Sequence, residues 1–179
     1  ATVHGLGGTS SGWLVVDTLD KNGSEWHCVW SDMPDSSHIP VPAQLTAIKT
    51  VNGDRPGDDE KFRFKLEIYN KEWRKWAQVE ILPNKGNFVT FTSMTFRADG
   101  QYYYRISEYG EVDGYIKDDT VYIAVITVSS DSQISGDTTI TSYKIDSVKY
   151  YRASDLEEVT EDNLVPAAAF DNTRQEEEK

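Results

Sequence analysis

Three residues break apolar patterns in a way that could do chemistry: Lys49, Glu108 and Asn172. In the stretch Gly100 to Glu108, G-Q-Y-Y-Y-R-I-S-E, an extended backbone places Tyr102, Tyr104, Ile106 and Glu108 on one face. A carboxyl group among aromatics is costly unless paired or protonated. Glu108 therefore either sits at a strand end and reaches water, or is a buried functional acid. Lys49 shares a face with Leu45, Ala47 and Val51, and Asn172 with Ala168 and Phe170. Each alone also reads as a snorkelling or edge residue. Together they suggest a reaction. Burial favours a neutral, nucleophilic amine, which could attack the Asn172 carboxamide carbon. Glu108 would polarise the carbonyl and relay protons to the departing ammonia. The product would be a Lys–Asn isopeptide bond between the first and last strands. Strand parity alone does not bring the three groups together.

The elements that must position them read as a succession of strands. Leu45 to Val51 is followed by the turn N-G-D-R-P-G and by Phe62 to Ile68, whose apolar face carries Phe62, Phe64, Leu66 and Ile68. Trp73 and Trp76 follow at helical spacing, which a strand or loop would serve equally well. Gly86–Phe91, Met94–Phe96 and the Gly100 stretch continue the series. T-V-Y-I-A-V-I-T-V, from Thr120 to Val128, is apolar on both faces, as expected of a central strand. S-S-D-S-Q-I-S-G-D reads as a polar loop before a further strand with bulges. The acidic run Asp155 to Leu164 suits a short helix or long loop, and V-P-A-A-A-F-D-N-T-R makes the last strand. Without a sustained amphipathic helix, this pattern predicts an all-β fold, an antiparallel immunoglobulin-like β-sandwich over residues 44–175.

Residues 1–43 differ in character. Trp13–Leu19 and Glu25–Trp30 flank Asn22-Gly23, a hairpin signal, and S-D-M-P-D-S-S-H-I-P-V-P then reads as an extended Pro-rich linker. Asn22-Gly23-Ser24 also matches a glycosylation sequon, which the turn explains without sugar. Residues 176–179 form an acidic tail.

Composition narrows the functions. Hydrophobic residues at 38% and aromatics at 12% of 179 residues suit a globular β-rich domain. A net charge of −12 without a basic cluster argues against nucleic acid and against anionic membrane surfaces. The single cysteine, Cys28, excludes an intramolecular disulfide. His4, His27, Cys28 and His38 lack metal-ligand spacing, so no metal or cofactor is expected. No nucleophile–His–acid set or paired catalytic carboxylates stand out, so no turnover enzyme is expected. The chain starts with Ala, which reads as an excised or mature segment.

Residues from about 45 to 174 resemble the streptococcal pilin isopeptide-linkage domain of Gram-positive pilins and surface adhesins. The resemblance is carried by Lys49 followed by Gly53, Pro56 and F-R-F-K-L; by G-N-F-V-T-F, M-T-F-R-A-D-G-Q-Y-Y-Y-R-I-S-E and D-D-T-V-Y-I-A-V-I-T-V; and by the terminal F-D-N-T. Tyr104, Ile106, Glu108, Gly114 and Tyr115 are similar to the E-box spacing of pilins, without its Ala-Pro. Arg174 stands where the family usually has Tyr. The resemblance implies a Lys49–Asn172 cross-link assisted by Glu108, in a structural subunit or stalk module on the bacterial cell wall or a pilus. Its implied partners are other pilin or surface-protein subunits. The alternative is an adhesin module binding a host protein or glycan through the N-terminal hairpin or the Trp73–Trp76 region.

Overall fold

The computed structural model describes residues 37–176, together with the backbone of two strands nearer the N-terminus, β1 (Trp13–Leu19) and β2 (Trp26–Ser31). These two pair antiparallel. The Asn22-Gly23-Ser24 turn and sequon, most of the Pro-rich linker, the side chains of His4, His27 and Cys28, and residues 177–179 lie outside the described residues.

The main body begins with β3 (His38–Ile39), β4 (Val41–Ala43) and β5 (Thr46–Val51). It continues through β6 (Arg63–Asn70), β7 (Lys75–Pro83), β8 (Phe88–Thr90), β9 (Met94–Phe96) and β10 (Gly100–Tyr109). The last strands are β11 (Tyr115–Ile116), β12 (Val121–Ser135), β13 (Thr138–Arg152), β14 (Leu164–Val165) and β15 (Ala168–Arg174). One sheet has the order β14-β13-β12-β10-β6-β7, with β3 beside β13; the other has the order β11-β15-β5-β8. Strands β4 and β9 form a separate pair.

Strands form where the side-chain period is two, because alternate residues then share the face that can be buried. In β5 Ala47, Lys49 and Val51 are buried, and in β15 Ala168, Phe170 and Asn172. From the larger sheet Phe64, Leu66, Tyr104, Ile106, Tyr122, Ala124 and Ile126 meet them across the sandwich. Phe170 sits at the centre, its ring 5.2 Å from that of Phe64 and 5.0 Å from that of Tyr122. These tilted and edge-on contacts suit the ring quadrupoles and fix the two sheets against each other.

The central strand β12 is apolar on both faces, as its sequence predicts. Its outer face carries Ile123 and Val125, buried with Tyr151 and Ala153 under Trp76, Tyr103, Leu156 and Val159. The last two come from the acidic segment, which folds as two short 3-10 turns, Leu156–Glu158 and Glu161–Asn163. Asp155 caps the first by accepting from the N–H groups of Glu157 and Glu158.

Two local expectations change, and the Trp73–Trp76 stretch, left open between helix, strand and loop, takes the turn and strand form. The predicted polar loop Ser129 to Asp137 is strand: β12 runs to Ser135 and turns back into β13 at Gly136-Asp137, with Gly136 at φ 62°. Polarity there reflects exposure of both faces, while the backbone ladder and the tight turn keep the chain extended. Trp73 and Trp76 do not share a helix. Residues 71–74 turn between β6 and β7, leaving Trp73 70% exposed while Trp76 lies on β7. Finally, pairing within the smaller sheet is antiparallel except that β15 runs parallel to β5. Parallel neighbours cannot be joined by a hairpin, and here the whole domain forms the connection.

Candidate functional site: an amine, a carboxyl and a carboxamide inside the sandwich

The parallel ladder sets Phe170 opposite Lys49 and Asn172 opposite Val51, so the lysine and asparagine occupy neighbouring inward positions on adjacent strands. β10, in the other sheet, presents Glu108 inward next to Phe64. The turn after β5 ties this end of the smaller sheet together. Asn52 and Gly53 both adopt positive φ, 51° and 80°, as an Asn-Gly turn of type I′ requires. The Asn52 N–H then donates to the Asn172 carbonyl at 2.8 Å, and the Gly53 N–H to Asp171 Oδ1 at 2.9 Å.

Lys49, Glu108 and Asn172 lie together, 0%, 8% and 1% exposed. Glu108 is therefore not a strand-end residue reaching water. Lys49 Nζ donates to Glu108 Oε2 at 3.1 Å, and Asn172 Nδ2 donates to Glu108 Oε1 at 2.6 Å. The backbone N–H of Asp118 donates to Asn172 Oδ1 at 2.8 Å. A backbone N–H can only donate, so it fixes the carboxamide with its oxygen toward Asp118 and its nitrogen toward Glu108. In this geometry Glu108 contacts the amide nitrogen, and Asp118 contacts the carbonyl oxygen that Glu108 was expected to polarise. Lys49 Nζ also lies 4.5 Å from the centre of the Phe62 ring, whose face supports a cationic ammonium.

Burial pushes the Lys49 amine down, against the opposing pull of Glu108, Asp118 and Asp171, and the net shift is below its ordinary value. Removing water thus raises the fraction of amine that carries a free lone pair. Asp118 differs. Burial pushes its carboxyl up, but hydrogen bonds from Thr120 and Asp171 and the charge of Lys49 more than offset this, and its pKa is lowered.

The sequence reading missed two acidic residues with defined partners, of which only Asp118 touches the cluster. Asp118 belongs to the D-D-T turn, where its bond from the Thr120 N–H at 2.9 Å is a local signal, but its contact with Asn172 joins residues 54 positions apart. The second is Glu67, 8% exposed on the outer face of β6, where Arg105 grips it through Nε at 2.8 Å and Nη2 at 3.1 Å. The guanidinium also lies 4.5 Å from the Trp76 ring, so Trp76 is partly buried against the outer face of the sheet while Trp73 projects outward. His38 stacks obliquely on Tyr143 at 6.1 Å. Among the described residues no buried side-chain nitrogen or oxygen lacks a hydrogen-bond partner.

The family model of FctA, the Spy0128-like isopeptide containing domain, matches residues 45–173. No curated protein matches the chain. Among solved structures, a major pilin protein (T3.2) from Streptococcus pyogenes aligns with 16% identity and a TM-score of 0.38, over 74% of this chain and 52% of the pilin. The pilus-presented adhesin Spy0125 (Cpa) aligns with 19% identity and a TM-score of 0.27, over 77% of this chain and 28% of the adhesin. The chain thus spans about half of the first protein and under a third of the second.

Proposed function

This chain belongs to the family of Spy0128-like isopeptide containing domains, and on that premise we propose that it is a structural module of a Gram-positive pilus or surface protein, stabilised by a Lys49–Asn172 isopeptide bond formed with the help of Glu108. The reading rests above all on one observation: the two oxygens of Glu108 bridge the Lys49 amine and the Asn172 amide nitrogen, at 3.1 and 2.6 Å. One carboxyl group can then take a proton from the nucleophile and deliver one to the leaving nitrogen without either partner moving far.

The lone pair of neutral Lys49 Nζ attacks Asn172 Cγ, and a Nζ–Cγ bond forms. Glu108 accepts the proton that Nζ sheds and passes a proton to Nδ2. The Cγ–Nδ2 bond breaks and ammonia leaves. Each side chain is used once, so this is maturation, not turnover.

The bond would close a loop of roughly 120 residues, which in the chain-entropy model for disulfides corresponds to about 5 kcal/mol. That is comparable with the whole stability of many domains. Tension entering through β5 and leaving through β15 would run through covalent bonds. Such a module would assemble with other pilin or surface-protein subunits outside the cell.

Intact mass followed by a tryptic map tests the proposal. A protein lighter by one ammonia, with a peptide joining Lys49 to Asn172, is the expected result; the full unmodified mass would overturn it. A second reading, a module that binds a host protein or glycan, draws on Trp73, 70% exposed at the β6–β7 turn. Binding to an array of matrix proteins and glycans, lost in Trp73→Ala, would favour it.

A further inference from the structure

Glu108 accounts for the proton transfers, but it leaves the carbonyl oxygen of Asn172 unattended. Attack at Cγ moves negative charge onto this oxygen, and a donor already aimed at it lowers the barrier without reorganisation. The group aimed there is the backbone N–H of Asp118, at 2.8 Å.

The loop that carries it is held in a particular way. β11 pairs with β15 only through Tyr115–Arg174 and Ile116–Thr173. Beyond Ile116 the ladder would lapse, yet the Asp118 side chain continues it: Oδ2 accepts from the Asp171 N–H at 2.8 Å, while Oδ1 accepts from the Thr120 N–H at 2.9 Å. A side-chain carboxylate thus takes the place of a backbone carbonyl on β15. Because side chain and N–H belong to one residue, docking the carboxylate on Asp171 presses the N–H onto the next residue, Asn172. Asn172 is buried, which shelters the contact of its carbonyl oxygen with the Asp118 N–H, while the clamp on Asp171 lies at the surface.

We propose that Asp118 forms the oxyanion-stabilising site of the cross-linking reaction, its backbone N–H holding the Asn172 carbonyl oxygen and its carboxylate positioning that N–H by clamping the loop to β15. The proposal rests on the isopeptide reading above. In the balanced step, the tetrahedral intermediate carries its negative charge on Oδ1 against the Asp118 N–H. It collapses to the new amide as Nδ2 leaves as ammonia with the proton relayed by Glu108. The same N–H before attack keeps Nδ2 turned toward Glu108, so one contact orients the leaving group and stabilises the charge.

The test is the rate of ammonia loss in the full chain made by cell-free translation, acid-quenched at intervals and read by intact mass. Replacing the residue-118 amide by an ester, using the α-hydroxy analogue of aspartate, keeps the side chain but puts an oxygen in place of the N–H and weakens the Lys117 carbonyl as an acceptor; cross-linking should slow about 100-fold, as for loss of one oxyanion-hole donor. Asp118→Ala frees the loop and should slow it about 10-fold, with Asp118→Asn, which keeps one acceptor oxygen, recovering part of the rate. Melting of each variant before it cross-links, compared with Lys49→Ala, checks that the fold is intact. An ester variant that reacts at the parent rate overturns the oxyanion site, and Asp118→Ala reacting at that rate overturns the positioning role. A parent chain that loses no ammonia at all would instead remove the isopeptide reading itself. If Asp118→Ala fails to fold, the ester and Asp118→Asn still decide.

Discussion

Two acidic residues on neighbouring strands are both buried, the side chain of Glu108 being 2% and that of Glu67 11% exposed, yet the structure suits them to different ends. Glu67 faces outward from the sandwich, opposite Arg105, and is held by a two-pronged guanidinium stacked on Trp76. Glu108 faces inward between Lys49 and Asn172. The first pair is closed chemically. Arginine stays protonated, its planar fork grips both carboxylate oxygens, the solvent-accessible Lys65 amine 3.6 Å from Oε1 adds a second cation, and no carboxamide stands on the carboxylate. The second is open: a desolvated lysine can surrender its proton, and a carboxamide stands on the other carboxylate oxygen. Burial of an acid therefore does not mark reactivity. The partner base and the group beyond it do.

Exchanging the bases breaks the comparison most sharply. Lys49→Arg places a permanently charged group beside Glu108, so no cross-link should form and the intact mass should keep its ammonia. Loss of about 5 kcal/mol of loop restraint should lower the melting temperature by on the order of 15 °C. A cross-linked Lys49→Arg protein would mean that another amine is the nucleophile.

A smaller effect is expected on the outer face. Glu67→Gln leaves Arg105 with a weaker, neutral acceptor in a mostly covered site, which should cost about 1–3 kcal/mol in urea unfolding. The fraction cross-linked should not change. Any loss of the bond in this variant would show that the outer pair tunes the inner one through β6 and β10.

The smallest effect concerns a third carboxyl, Glu60, near the surface end of β15. The Tyr115 hydroxyl at 2.6 Å, the Gly57 N–H at 2.7 Å and the Arg174 guanidinium at 2.7 Å hold it down to about 2, from 4.5. Its folded value is depressed, so its contribution is complete above pH 4.5 and fades as pH falls toward 2. Glu60→Gln should therefore be less stable than the parent at neutral pH, with the gap closing between pH 4.5 and 2 when unfolding midpoints are compared. A gap that persists unchanged at pH 2 would assign the effect to packing, as for a group with no charge of its own. The Arg174 that departs from the family's usual residue thus gains a place, as the third donor to Glu60.

The amino-acid sequence by itself determined the inward faces. The period of two in Leu45–Val51, Phe62–Ile68 and Gly100–Glu108, strict in the second and broken by Ile48 and Tyr103 in the others, is a local property of extended backbone, so the placement of Lys49 and Glu108 among apolar neighbours was legible before any fold was known. The two-sided apolar run of β12 likewise announced a covered central strand. Alternation says nothing, however, about which faces meet. The polar hairpin arm beyond Ser129, the Glu67–Arg105 pair and the Asp118 contact all depend on strand register or on segments 38 to 54 positions apart. Only the tertiary structure decided that a carboxylate from one sheet bridges an amine and a carboxamide in the other, and that a turn residue's N–H completes the set. The reason is physical: a side chain's face follows from its own backbone, but its partner follows from how two sheets stack and in which register their strands pair.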